Sequence, residues 1–238
     1  MKTNNLPDIS LMMPVYNEED CLEKVAIELI KEFKKAKIKL ELYLVNNGSW
    51  DKSQNIITKI KKRYPSVVKV VVYRKNKTLG GAVNRVMAKY LKGKIIGFTC
   101  ADGEVTAKDT VKLARIILKD DEIALAKTIR KKRRDGYRQH ISKIYNWLAK
   151  LLLGVKTKDV SGWPVLIRYD VYKKMDLMHY TWIFQLEFLH QVRKMNKKFV
   201  EINVTHQKRS GGVSKVDVGV VIQFTLQTFS YFFKSLFR

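Results

Sequence analysis

Four short segments carry residue types that could do chemistry, and the order in which they occur is informative. They are Pro14-Val-Tyr-Asn-Glu18, Asn46-Asn-Gly-Ser-Trp-Asp51, Asn76-Lys-Thr-Leu-Gly-Gly-Ala82 and Thr99-Cys-Ala-Asp-Gly-Glu104. At 14–18 an apolar run gives way to a helical pattern. Backbone N–H groups and the helix dipole at such a point favour an anion, while Asn17 and Glu18 equally suit an ordinary helix cap. The Asn-Gly pair at 47–48 permits a tight turn with positive φ, and Ser49 or Asp51 can cap the helix that follows. The amides of Asn46 and Asn47 stand at a strand end, free to pair with the edge of a base. Gly80 and Gly81 open a helix and let backbone approach a ligand, although a glycine pair is also a common turn. Asp102 and Glu104, two carboxylates with a glycine between them, suit a hard cation such as Mg²⁺ or Mn²⁺.

The elements that must hold these segments are legible from patterning. Apolar runs at 9–14, 40–45, 67–73, 95–99 and 123–126 read as strands. Between them, 19–35, the stretch through Ile56, Ile57 and Ile60, 81–91 and 110–118 read as helices. Continuous apolar strands alternating with helices indicate an α/β fold with a mostly parallel sheet, whose ligand sites lie at the carboxyl ends of the strands. Beyond this, 137–153 reads as a long helix, 165–168 as a strand, 183–195 as a helix and 199–204 as a strand. A polar loop, His206 to Lys215, then precedes a final helix. No repeat and no Pro-, Gly- or Ser-rich linker interrupts the chain, so residues 1–215 read as one domain and 216–238 as a C-terminal helical extension.

Composition narrows the class. The 238 residues include 46% hydrophobic side chains, enough for a sizeable core, and 12 Gly and 4 Pro exclude collagen-like and low-complexity chains. Two cysteines, Cys21 and Cys100, give no disulfide framework, and MKTNNLPDIS has no apolar signal region, which points to the cytosol. With 47 Lys and Arg against 22 Asp and Glu, the net charge is +25. That charge implies nucleic acid, an anionic membrane surface or phosphorylated substrates. Its densest part, Lys127, Arg130 to Arg134 and Arg138, reads as a phosphate-facing segment, with a solvated loop as the alternative. Residues 218–233 carry no charge, yet Gln223, Thr225, Gln227, Thr228 and Ser230 interrupt them, so they suit a membrane span poorly. Phe229, Tyr231, Phe232, Phe233 and Phe237 beside Lys234 and Arg238 suit a helix lying in the lipid interface. The alternative is packing on the domain or on another subunit.

Taken together, PVYNE, NNGSWD, N-x-x-LGGA and CADGE, each in its place between elements, resemble the family 2 glycosyltransferases. Arg138-Gln-His-Ile-Ser142, Asp159-Val-Ser-Gly162, Glu187 and Arg209-Ser-Gly-Gly-Val-Ser-Lys215 further resemble the polyprenol-phosphate (dolichyl-phosphate) mannose and glucose synthases of that family. The resemblance implies a GT-A (Rossmann-like) α/β fold, a nucleotide-sugar donor, a polyprenyl phosphate acceptor, Mg²⁺ or Mn²⁺, and attachment to the cytoplasmic face of a membrane. Oligomer formation is left open, and no specific nucleic-acid partner is implied. It places Pro14, Tyr16, Asn17, Glu18, Asn46, Ser49 and Asp51 around the nucleotide, with Gly80, Gly81 and Ala101 beside it. Asp102 would be the metal-binding Asp, with Glu104 as a second ligand. Arg130, Arg138 and Ser142 would hold the lipid phosphate or the diphosphate, and Arg209, Ser214 and Lys215 would close over the donor.

Two departures from the family pattern matter. Cys100 stands where the first Asp of the metal motif is usual, and a thiol is a poor ligand for a hard cation. Asn46-Asn47 replaces the usual Asp-Asp. Because an amide both donates and accepts, this leans toward uracil over guanine. Two rival readings follow. A transferase acting on a hydroxyl would need a carboxylate base, for which Glu187 is the candidate, without a neighbouring Asp. A polyanion-binding protein without chemistry would owe its properties to the charge alone.

Overall fold

In a computed structural model the described residues are 6–131, 136–205, 207 and 218–237, and the side chains of 131, 136–141, 205 and 218–221 lie outside that description. In chain order the elements are β1 (Ile9–Val15), α1 (Leu22–Lys35), β2 (Leu40–Asn47), α2 (Ser53–Arg63), β3 (Val68–Tyr73), α3 (Leu79–Lys89) and β4 (Ile95–Phe98). There follow α4 (Ala107–Lys119), β5 (Ile123–Lys131), α5 (Gly136–Leu153), β6 (Val165–Arg168), α6 (Tyr169–Tyr172), α7 (Phe184–Lys194), β7 (Lys198–Thr205) and α8 (Val218–Ser235). The strands form one seven-stranded sheet in the order β3-β2-β1-β4-β6-β5-β7. Its β1, β2, β3 and β4 neighbours pair parallel, as do β5 and β7, while β6 runs antiparallel to both of its neighbours.

The continuous apolar strands are explained by burial on both faces. Along β1, Ile9, Leu11 and Met13 pack with α1, α2 and α4, whereas Met12 points to the opposite face with Val83 of α3 and Phe184 of α7. Side chains alternate across a strand, so a strand covered on both sides is apolar along most of its length, and the buried exception in β1, Ser10, bonds Glu41 Oε2 at 3.0 Å. Helix starts follow local capping chemistry. Thr78 Oγ1 accepts from the Gly81 amide at 3.2 Å to open α3, and Thr106 Oγ1 accepts from the Asp109 amide at 3.1 Å to open α4.

Three sequence expectations change. The strand expected at 123–126 continues to Lys131 because β7 pairs with it in parallel along its length. The first part of the expected phosphate-facing segment is therefore sheet. Lys127 is completely buried, donating to the carbonyl oxygens of Asp159 and Val160, and faces no solvent. The one-turn helix α6 was not anticipated, since four residues are too short to show a period. Finally, Tyr231, expected at a lipid interface, is fully buried in the core, where its hydroxyl lies 2.9 Å from His190 Nδ1.

Gly80 also makes a packing contact that the sequence does not show. A Cβ there would lie 2.0 Å from the Thr181 carbonyl oxygen and 2.6 Å from Phe184 Cδ1, so the residue lets the start of α3 pack against the segment leading into α7. Gly80→Ala is expected to lower stability by about 1–3 kcal/mol through overpacking, read as a shift in the urea midpoint with unchanged slope. A midpoint equal to that of the unsubstituted protein would show that this contact yields freely.

Candidate active site

The loops that leave β1 and β2 are sewn together by side chains. Asn17, with φ of 56°, donates its backbone N–H to Ser49 Oγ at 3.1 Å, and its Oδ1 accepts from the Trp50 amide at 3.0 Å. The Glu18 amide donates to Ser53 Oγ at 3.0 Å, and the Glu19 amide to Asp51 Oδ2 at 3.1 Å. Burial raises the Asp51 pKa, but hydrogen bonds from Ser53 and the Glu19 amide outweigh it and leave the carboxyl below its usual range. Ser49 and Asp51, expected to contact a nucleotide, thus act on the PVYNE loop. Asn46 is likewise not the free amide that the sequence suggests. It is buried, gives Nδ2–H to Gln54 Oε1 at 2.7 Å and takes the Ser49 amide on Oδ1 at 2.9 Å. Tyr16, half-buried, meets the exposed Trp50 edge to face with ring centroids 5.5 Å apart.

The loop after β3 joins the same assembly through Asn47, whose amide, like that of Asn46, is engaged by protein. Its Oδ1 accepts from the Lys77 amide at 3.0 Å, and Nδ2 donates to the Thr78 carbonyl at 3.2 Å and to Asn76 Oδ1 at 3.3 Å. Gly48 sits at φ 83°, and a Cβ there would be 2.7 Å from the Asn76 nitrogen. Only glycine fits both the turn and the neighbouring loop. Gly81 is half-buried beside Thr78.

Beyond β4, the buried Asp102 accepts the Glu104 amide on Oδ1 at 3.0 Å, with Gly103 between them at φ 72°. The loop is tied to the first one through Cys21, whose thiol donates to the Ala101 carbonyl at 3.2 Å and to Glu18 Oε2 at 3.4 Å. Burial, reinforced by Asp102, pushes the Cys100 thiol well above its ordinary pKa and keeps it protonated. A neutral thiol does not compete for a hard cation, so the oxygen donors available are Asp102 and Glu104. Among the described residues no group of three or more His, Cys, Asp or Glu converges as a metal cage. Two carboxylates nonetheless fit Mg²⁺ or Mn²⁺ chemically, since such cations commonly take their remaining ligands from water and substrate phosphate.

Across from this loop lies a buried ion pair. Arg130 Nε and Nη2 bond Asp159 Oδ2 and Oδ1 at 2.8 and 2.9 Å, and Nη2 also bonds Ser161 Oγ at 2.9 Å. Arg130 is therefore not an unattached phosphate clamp, because most of its fork is held by protein. Glu104 and Cys100 still lie within its electrostatic reach. The Gln207 amide donates to the Glu104 carbonyl at 2.9 Å, which brings Gln207 to the Asp102 loop. Arg209, Ser214 and Lys215 lie outside the described residues, as does the side chain of Arg138 on α5. Ser142 is half-buried on the same helix, and Pro14 is half-buried near the end of β1.

Glu187, the candidate base, is fully buried in the first turn of α7, where it accepts from the Met178 amide. Burial pushes its carboxyl up to about 7, against the backbone amides of Met178, Tyr180 and His179 that favour the ionised form. It holds the 178–180 segment, which abuts α3 through the bond from Asn84 Nδ2 to the Tyr180 carbonyl at 3.1 Å. Because the folded pKa lies above the unfolded value, the native state binds the extra proton, and this group lowers stability as pH rises from 4.5 to about 7. Glu187→Gln keeps an acceptor for Met178. The difference in melting temperature, variant minus unsubstituted protein, is expected to rise between pH 5 and pH 8, and a difference that stays flat or falls would contradict the assignment.

Comparison with known proteins identifies the family. Residues 10–176 match the sequence profile of Glycosyl transferase family 2. The chain is 29% identical over 220 residues to the undecaprenyl-phosphate 4-deoxy-4-formamido-L-arabinose transferase of Shewanella sediminis, covering 90% of this chain and 64% of that protein. The same enzyme from Edwardsiella ictaluri is 27% identical over 210 residues, covering 87% and 62%. The chain thus spans somewhat less than two thirds of these bacterial relatives. A dolichyl-phosphate beta-glucosyltransferase of Dictyostelium discoideum is 24% identical over 227 residues, covering 88% and 68%. Among solved structures, glucosyl-3-phosphoglycerate synthase from Mycobacterium tuberculosis, in complex with Mn²⁺, UDP and glucosyl-3-phosphoglycerate, superposes with a TM-score of 0.69 at 18% identity, covering 95% of this chain and 80% of that one. That likeness supports a GT-A fold. With its four loops, its sheet order and a profile match over most of its length, the chain belongs to glycosyl transferase family 2.

Proposed function

We propose that this protein transfers a hexose from a UDP- or GDP-sugar to a polyprenyl phosphate, at the cytoplasmic face of a membrane. The observation that carries the reading is the gathering of the loops after β1, β2, β3 and β4 at one edge of the sheet, held by Ser49, Asp51, Asn47 and Cys21. The bacterial and Dictyostelium relatives, named for undecaprenyl-phosphate and dolichyl-phosphate transfer, support the acceptor class. The mycobacterial structure, with UDP and Mn²⁺, supports a nucleotide donor and a divalent cation.

In this reading an acceptor phosphate oxygen attacks the anomeric carbon, a new C–O bond forms, and the bond from that carbon to the nucleotide diphosphate breaks. The nucleophile is already an anion, so no strong base is needed, which agrees with the burial of Glu187 against the Met178 amide. Asp102 and Glu104 would hold Mg²⁺ or Mn²⁺, which when bound stabilises charge on the departing diphosphate. Tyr16, Asn17, Glu18, Gly81 and the Ala101 loop would border the nucleotide. Arg138 and Ser142, with Arg130 behind them, would face the acceptor phosphate, and Arg209, Ser214 and Lys215 would cover the donor. The chain's own contribution is positioning and fixed positive charge. Residues 1–215 would form the catalytic unit and 216–238 its membrane-facing helix.

The direct check is thermal melting with UDP and with GDP, each with and without Mn²⁺, on the unsubstituted protein and on Asp102→Asn. One nucleotide is expected to raise the melting temperature only with metal, and the shift should vanish in the variant. Ligand at a hundred times its Kd stabilises by about 2.7 kcal/mol, ample for detection. No shift with either nucleotide would overturn the donor site and favour a polyanion-binding protein.

A further inference from the structure

Helix α8 is built inside out for a surface helix. Three of its polar residues face the domain: Gln227 Oε1 accepts from the Trp182 amide at 3.0 Å, Ser230 and Tyr180 share a hydroxyl bond at 2.9 Å, and Thr228 is buried, while Gln223 is exposed. Its outward stripe is apolar instead, with Ile222, Leu226, Phe229, Phe233 and Leu236 exposed at the three- and four-residue spacing of one helix face. Gln227 and Ser230, which interrupt the segment in sequence, thus anchor it, and what is left outside, Gln223 apart, is the apolar side.

The neighbouring α5, which packs on α8 through Tyr145 against Phe224 with centroids 5.3 Å apart, has a stripe of its own. Ile144, Trp147 and Leu151 stand exposed at i, i+3 and i+7, Trp147 at 60%. Lys143 and Lys150 are exposed on the same helix, and Lys234 is exposed on α8. Exposed apolar side chains scattered singly are ordinary; two adjoining stripes are not.

We propose that α5 and α8 together form a docking platform for an anionic lipid bilayer, into whose interface Trp147 and Phe233 insert. Two observations select lipid over a second copy of the chain. The flanking lysines and the net charge of +25 complement anionic headgroups and would repel an identical partner. Aromatic and aliphatic side chains beside lysines are the composition of a helix lying in the interface. The platform extends the membrane part of the proposed function and rests on it for its purpose, but none of its residues belongs to the four loops of the donor site, so the two can fail separately.

The test is co-sedimentation of the full chain with vesicles of phosphatidylcholine, alone or with a quarter phosphatidylglycerol, for the unsubstituted protein, Trp147→Glu, Phe233→Glu and a control, Val72→Glu, at an exposed position on the β3 edge. Circular dichroism and light scattering establish folding and oligomeric state. Leu151→Gln and Leu226→Gln replace any glutamate variant that does not fold. The expected result is binding to the anionic vesicles, weakened about tenfold or more by a change on either helix, the scale of withholding one large apolar side chain from lipid, and unaffected by Val72→Glu. Failure of the unsubstituted protein to sediment with anionic vesicles would overturn the proposal. So would binding unchanged by the α5 variant, or a lipid-free dimer that either variant turns into monomer. Nucleotide-dependent melting that persists alongside such a failure would leave the donor-site reading standing.

Discussion

Parallel strands that end together leave their last carbonyl and amide groups, and those of the loops beyond, without partners from the sheet. In this protein side chains supply them. Ser49, Ser53 and Asp51 take the amides of Asn17, Glu18 and Glu19, and Asn47 takes the amide of Lys77 and gives to the carbonyl of Thr78. Buried backbone groups must be paired, and pairing them with neighbouring loops makes each loop's shape depend on the next. A strained residue such as Asn17, at φ 56°, persists because bonds on its own amide and on its side-chain oxygen fix it from both sides. A rim assembled in this way is rigid before any ligand arrives, which is the condition for catalysis by positioning.

The opposite rim is held by charge. Burial alone would raise the Asp159 carboxyl, but the hydrogen bonds and charge of Arg130, with Lys127, hold it at about 2. Burial pushes Lys127 down to about 8, opposed by Asp159 and Glu201, the latter at 3.8 Å. Because the Asp159 pKa is depressed, its stabilising contribution is complete above the ordinary carboxylate range and is lost as pH falls toward 2. Buried ion pairs are seldom net stabilising against an apolar replacement, yet losing one partner costs about 3–5 kcal/mol. What this pair provides is location: a guanidinium fixed at the carboxyl end of β5, with Glu104 in its field.

The fold was almost wholly legible in the sequence because burial on both faces makes each parallel strand a continuous apolar run, as in Ile9 to Met13. The misses share one cause, which is partnership at long range. Nothing local shows that Lys127 will be buried under Asp159 and Val160, that Gly80 will meet Thr181, or that Asn46 will be occupied by Gln54 and Ser49. Residue types at the site were readable, whereas their assignments to ligand or to scaffold were not. The final helix is the clearest case. Gln227 and Ser230 read in sequence as interruptions of an apolar segment, and in the fold they attach that segment to the domain.

The central claim is that this rim moves sugar onto a lipid phosphate. The most direct measurement supplies polyprenyl phosphate in vesicles with radiolabelled UDP-glucose or GDP-mannose and Mn²⁺, and follows label into the organic phase. The account predicts an acid-labile labelled lipid whose formation requires both the phosphate on the acceptor and Asp102. Label that stays in the aqueous phase while the nucleotide still binds, or that passes instead to a hydroxyl acceptor, would contradict it.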